Sequence, residues 1–176
     1  MISEFCILKY LNFKMTKDQL QLFDKIKKFQ LDDPFASYTF SERLARENNW
    51  SLEYALRAIE EYKRFIFLIC NVNHPLTPSD QVDQVWHLHL LYTESYWIEF
   101  CQKTIGKQIH HGPTKGGKGE NEKFTDWYLK TKDSYFEIFK ELPPDDIWPN
   151  SEVRFKRINF KRIEVDQYWM IKKIFK

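Results

Sequence analysis

Residues 77–106 read TPSDQVDQVWHLHLLYTESYWIEFCQKTIG, and the reading of this stretch decides the fold. Thr77 offers a helix N-cap, Pro78 suits the first helical position, and Asp80 is a weak capping partner. No glycine or proline follows until Gly106, the residue type that ends helices in the left-handed conformation. A single long helix is expected from the proline to the glycine. At 3.6 residues per turn Val82, Trp86, His89, Thr93, Tyr96 and Phe100 fall on one side, and Asp83, His87, Leu91 and Glu94 on another. An aromatic-rich stripe of this length has to be buried against other helices.

The flanking sequence supplies those helices. Residues 18–29 place Leu22, Phe23, Ile26 and Phe29 at helical spacing before Asp32, Asp33 and Pro34. Thr39 followed by Glu42 makes a capping-box signature for a short helix stopped by Asn48 and Asn49. Ser51 can cap a longer one that runs to about Cys70, with Leu52, Ala55, Leu56, Ile59, Tyr62, Ile66 and Ile69 on one face. Residues 121–141 repeat the pattern with Phe124, Trp127, Tyr128, Thr131, Tyr135, Ile138 and Phe139 until Pro143 and Pro144. From Ser151 the short alternation of Val153 and Phe155, and the run 168–171, read as one or two strands or an extended arm. The expectation is a mainly α, single-domain bundle of about five helices with a short C-terminal β or extended element. Its parts would be an N-terminal extension at 1–15, a helical domain at 16–150 and a basic, aromatic arm at 151–176.

Composition supports one packed domain and excludes several classes. The chain has 176 residues, 17% of them aromatic, which is too much apolar mass for disorder. Its net charge of +2 gives no overall mandate for nucleic acid or anionic lipid. Cys6, Cys70 and Cys101 are far apart and form no CxxC, so a disulfide framework is not expected and reduced, cytoplasmic thiols are the default. The apolar run FIFLIC at 65–70 is far shorter than the about 20 residues a membrane crossing needs. Residues 1–14 lack the basic start and small-residue cleavage site of a secretory signal, and Met15 is an alternative start.

All five glycines lie between Gly106 and Gly119, and four of the five histidines, His87, His89, His110 and His111, lie just before or inside that span. Glycine is costly to order unless the backbone needs it, so the concentration marks a built loop. Asp83 and His87 are one helical turn apart, which brings a carboxylate beside an imidazole. Glu94, eleven residues beyond Asp83 at about 100° each, would return to the same face. His87 and His89 are about 200° apart and cannot grip one ion from a regular helix. A workable metal set therefore takes Asp83 and His87 from the helix and His111 or His110 from the loop, leaving positions for water. The plainer alternative is an oriented histidine, hydrogen-bonded to its aspartate, in an aromatic core.

The stretch PSDQVDQVWHLHL at 78–90 resembles the VDxxWHxH signature of the glycine-rich domain-containing protein-like family, known from plant, fungal and uncharacterised bacterial proteins. The bacterial branch also shares AREN at 45–48, HHGPTKGG at 110–117, KFTDWY at 123–128 and DIWP at 146–149, so the resemblance spans residues 20–176. It implies no particular reaction and passes on no catalytic residue. What it does imply is that Asp83, His87, His89, His111 and the glycines form one site. Longer plant members carry RNA-binding motifs and glycine-rich tails outside this region, and the aromatic ribonucleoprotein signature is absent here.

Other constellations are weaker. GPTKGGKG at 112–119 nearly spells a phosphate-binding loop, but Gly119 stands where the magnesium-binding hydroxyl belongs and no apolar strand precedes it. A humbler anion site remains open, built from Lys115, Gly116, Gly117 and Lys118 with the N-terminus of the next helix. From Ser151 onward eight basic residues outnumber three acidic ones, which fits either lysines guarding an exposed edge or a binding surface. Cys101 is the only thiol near the histidines and falls on the apolar side, where thiols are inert. Asp32-Asp33 and Asp145-Asp146 stand beside prolines and read as turns.

The functional expectation is a pocket of Asp83, His87 and His111, supported by His89 or His110 and closed by the glycine loop. It would hold a divalent zinc, manganese or iron for hydrolytic or related chemistry on an anionic small molecule. The rival is a non-enzymatic interaction module, for protein or nucleic acid, with structural histidines.

Overall fold

The computed structural model describes residues 14–112 and 118–156. Residues 1–13, 113–117 and 157–176 lie outside them, and with them most of the expected N-terminal extension, the centre of the glycine loop and most of the C-terminal arm. Seven helical segments are present among the described residues: α1 (Lys17–Lys28), α2 (Phe40–Asn48), α3 (Leu52–Asn71), α4 (Asp80–Leu91), a π-helix π1 (Glu94–Ile105), α5 (Lys118–Phe139) and α6 (Ser151–Arg154). There is no strand among those residues, and the protein is a mainly helical bundle as its periodicities require.

Side-chain oxygens of Thr16, Thr39, Ser51 and Ser79 start α1 to α4 by accepting from the backbone N–H three residues on. At Thr16 and Thr39 the box is complete, because Gln19 and Glu42 reach back to the cap N–H. α2 stops where Asn49 turns left-handed at φ 55° and its N–H reaches the Ala45 and Arg46 carbonyls. Met15, at the edge of the expected extension, packs on the core.

α3 is the central post and packs against α1, α2, α4 and α5. Ala55, Ala58, Tyr62, Phe65, Ile66, Phe67 and Leu68 on it are fully buried. The FIFLIC run is thus core, and among the described residues no helix is long and apolar enough to cross a membrane. The segment 143–149 plugs the base of the bundle. Trp148 is fully buried and donates Nε1–H to Glu61 at 2.8 Å, while the Tyr135 hydroxyl donates to the other Glu61 oxygen at 3.1 Å. Burial pushes the Glu61 carboxyl up from its ordinary range. Asp146 meets Arg57 in a two-pronged pair at 2.8 Å, which holds its carboxyl below the usual value. Asp32 accepts from the Ser41 N–H and hydroxyl, and Asp33 from the Phe35 N–H, so these acids are turn and cap groups as their prolines suggest.

Three local expectations are corrected. The cap of α4 is Ser79, not Thr77, whose backbone is instead stitched to the Thr131 hydroxyl of α5 at 3.0 and 3.1 Å. The long helix is two elements: the chain breaks at Tyr92 (φ −88°, ψ 67°) and continues as π1. Winding with i→i+5 bonds puts Tyr96, Phe100 and Cys101 on the buried side together, and Gly106 at φ 81° closes it by donating to the Cys101 carbonyl. Finally, Ser151–Arg154 is a helical turn rather than extended, because Asn150 accepts from the Val153 N–H and nucleates it.

Candidate metal site

Two turns of α4 sort the VDxxWHxH residues by direction. Val82, Val85, Trp86 and His89 point into the core, while Asp83 and His87 lean out toward the chain that leaves π1. That returning chain is fixed by a relay. Trp86 Nε1–H donates to the Tyr96 hydroxyl at 2.9 Å, and the Tyr96 hydroxyl donates to the Ile109 carbonyl at 2.6 Å. Burial raises the Tyr96 hydroxyl above its ordinary value, which keeps the donor proton in place. Ile109 is itself buried, so the chain on either side of it is pinned.

His111 is delivered to α4 by this anchor. Its Nε2–H donates to Asp83 Oδ1 at 2.7 Å, and its ring lies edge-on to Trp86 with centroids 4.4 Å apart. His87 Nε2 is 3.8 Å from the same Asp83 oxygen, and the two imidazole rings are 4.7 Å apart. One ligand atom from each of Asp83, His87 and His111 falls within 4.8 Å of the others. Two ligand atoms held at about 2.0–2.2 Å by a tetrahedral zinc are about 3.3–3.6 Å apart, which the 2.7 and 3.8 Å separations bracket. Two imidazoles and a carboxylate suit zinc, manganese or iron, and three ligands leave positions for water or substrate.

The other expected ligands stand apart. His89 is fully buried, with Nδ1 2.9 Å from the Tyr62 hydroxyl and Nε2 3.2 Å from the Ser95 hydroxyl. Burial pulls its pKa down to about 3. Both its nitrogens are engaged in the core, so it cannot support the cluster as a ligand. His110 is not in the group and rests on Trp97, with ring centroids 5.4 Å apart. Glu94 is not part of the group either, because the break at Tyr92 ends the regular winding that would have returned it to Asp83. Lys115, Gly116 and Gly117 lie outside the described residues. Lys118 opens α5, of which only the backbone is described there. Cys101 is buried and its thiol raised by burial, which leaves it inert.

Sequence reasoning missed Arg154. Its side chain reaches from α6 to α4, where Nε–H donates to the Pro78 carbonyl at 3.1 Å and Nη2 comes within 3.9 Å of Asp83 Oδ2. In the sequence it was one basic residue of eight in a charged tail. The only local signal was the Asn150 cap that holds it on a turn.

A helical bundle whose central motif divides between a core histidine and an open aspartate–histidine cluster is the class that fold and site define. The chain belongs to the UCP032817-like family, whose sequence profile matches residues 24–131. That span includes Asp83, His87 and His111. The chain is also similar to Glycine-rich domain-containing protein 1 of Arabidopsis thaliana, with 33% identity over 87 residues. The match covers 47% of this chain and only 10% of that much longer plant protein. No solved structure matches.

Proposed function

We propose that Asp83, His87 and His111 bind a divalent cation, zinc, manganese or iron, at a site that performs hydrolytic or related chemistry on an anionic small molecule. The observation that carries the reading is the convergence of three ligand atoms from two separate segments within 4.8 Å. Bound there, the ion would supply a Lewis acid and lower the pKa of a coordinated water. The chain's own residues prepare the site. Trp86 and Tyr96 fix the return of the loop, Asp83 orients the His111 ring, and the half-exposed His87 faces the opening. His111 Nε2 must expose its lone pair to ligate a metal, which the neutral ring does by carrying its proton on Nδ1 instead, so the ion would take the place of the bond to Asp83. In the sequence Lys115 and Lys118 flank Gly116 and Gly117, a composition that suits an anionic substrate.

Elemental analysis of protein purified without an affinity tag tests this. The expected result is one zinc, manganese or iron per chain that is lost in both His87→Ala and His111→Ala. Metal-free protein that takes up none of the three ions in a titration would overturn it. A non-enzymatic interaction module is the second reading, favoured by one observation: the 2.7 Å bond from His111 to Asp83 already ties the chain after π1 to α4 without an ion. In that case His111→Ala loses stability, His87→Ala changes little, and no metal content is at stake.

A further inference from the structure

We propose that Arg154 is the anion-binding residue of this site, gripping a substrate oxyanion, a phosphate or carboxylate group, jointly with the metal. The inference rests on the metal reading above and adds to it the group that recognises substrate and the order in which the two bind.

Arg154 is unlike the other paired arginines. Arg43, Arg57 and Arg64 each end on a carboxylate, Glu47, Asp146 and Glu141 respectively, at hydrogen-bond distance. Arg154 is 12% exposed and rigidly placed: Nε is spent on the Pro78 carbonyl and the guanidinium lies over the Phe155 ring with 5.3 Å to the centroid. Its two terminal nitrogens nevertheless stop short. Nη1 is 4.0 Å from Asp80 Oδ1 and Nη2 is 3.9 Å from Asp83 Oδ2, both beyond a hydrogen bond. Among the described residues these two nitrogens have no closer acidic partner. The result is a preorganised fork beside Asp80 and Asp83, with donors left over for a planar or tetrahedral oxyanion.

Charge sets the order. Without an ion, Asp80 and Asp83 outweigh the single guanidinium and an incoming anion is repelled. A divalent cation on Asp83 reverses the balance and places two positive groups side by side, a strained arrangement that an oxyanion spanning them relieves. Anion binding therefore requires the metal, and by linkage the anion must tighten the metal by the same factor. Asp80 keeps the guanidinium partly neutralised in the empty state, so the site does not collapse onto Asp83. Arg154 lies beyond residues 24–131, the part matched by the family profile.

The test measures Mn²⁺ affinity of the full chain by titration followed by electron paramagnetic resonance, alone and with saturating inorganic phosphate or acetate. Wild type should bind Mn²⁺ about fivefold or more tightly in the presence of at least one of the two anions. Arg154→Gln should bind Mn²⁺ alone within about threefold of wild type and lose the enhancement, while Arg154→Lys, which keeps the charge but not the fork, should retain part of it. The anion that gives the larger enhancement tells phosphate from carboxylate recognition. Enhancement that survives in Arg154→Gln, or that is absent from wild type with both anions, overturns the inference and leaves the metal site standing. Wild type that binds no Mn²⁺, zinc or iron overturns the metal reading itself, and this one with it.

Discussion

His87 and His89 are two residues apart on one helix and live in different chemical worlds. His89 is fully buried, touches Phe29, Phe40 and Phe100, and finds only hydroxyls for its two nitrogens. His87 has a side chain 50% exposed and faces a carboxylate and a second imidazole. Hydroxyl partners can donate or accept, so they satisfy a neutral ring in either tautomer, but they bring no charge to offset a charged one. A carboxylate and open solvent do. The same residue type therefore becomes a packing element on one face of α4 and a candidate ligand on the other. Direction on the helix decides which.

That contrast is sharpest under truncation. His89→Ala removes a fully buried ring and strands the Tyr62 hydroxyl, so it should cost about 3 kcal/mol of unfolding free energy, read by denaturant melts, yet leave metal uptake by the folded fraction intact. Loss of metal with unchanged stability would mean that His89 acts on the site and that the division of α4 into two faces is wrong.

Acid should break the buried half first. The folded His89 pKa is depressed to about 3 against an ordinary value of 6.5. The unfolded chain then binds a proton that the native one refuses, so this contribution is complete above 6.5 and lost as pH falls toward 3. The slope is about 1.4 kcal/mol per pH unit, or about 2 kcal/mol between pH 6.5 and 5. Glu61 works in the opposite sense, because its raised pKa favours the fold as pH drops. Comparing melts of wild type and His89→Gln across that range isolates the histidine, since Glu61 is common to both. Parallel curves would show that the ring is not held neutral.

A smaller effect tests the relay that joins the halves. Tyr96→Phe leaves Trp86 Nε1–H and the Ile109 carbonyl unpartnered in a buried place, and should cost about 1–2 kcal/mol. Because that bond carries the backbone two residues before His111, metal affinity should fall as well, by about tenfold, as for other outer-shell partners. A stability loss with unchanged affinity would mean that His111 is positioned by Asp83 alone.

Much of this is legible in the amino-acid sequence. Helical period placed His87 and His89 on opposite faces and set Asp83 beside His87, and both hold because α4 is regular over that stretch. Whether His110 or His111 would turn inward was not decidable from two adjacent imidazoles. The answer comes from Ile109, the lone apolar residue of a polar loop, whose burial and Tyr96 bond fix the register. The break at Tyr92 and the π winding had no proline or glycine to announce them, and the extrapolation to Glu94 failed for that reason. Arg154 was hidden because contact between α6 and the start of α4 is a tertiary event that no local spacing encodes.

The smallest expected change completes the comparison. His87→Ala should alter the stability of metal-free protein by less than about 0.5 kcal/mol, because a half-exposed imidazole 3.8 Å from its carboxylate makes no hydrogen bond and is screened by water. The same substitution should abolish the stabilisation that a bound ion adds, which for a ligand at a hundred times its dissociation constant is about 2.7 kcal/mol. Wild type melted with and without saturating zinc, and again after chelation, supplies the reference. If His87→Ala destabilises the metal-free chain as much as His89→Ala does, the outward face of α4 is core as well, and the helix has one role rather than two.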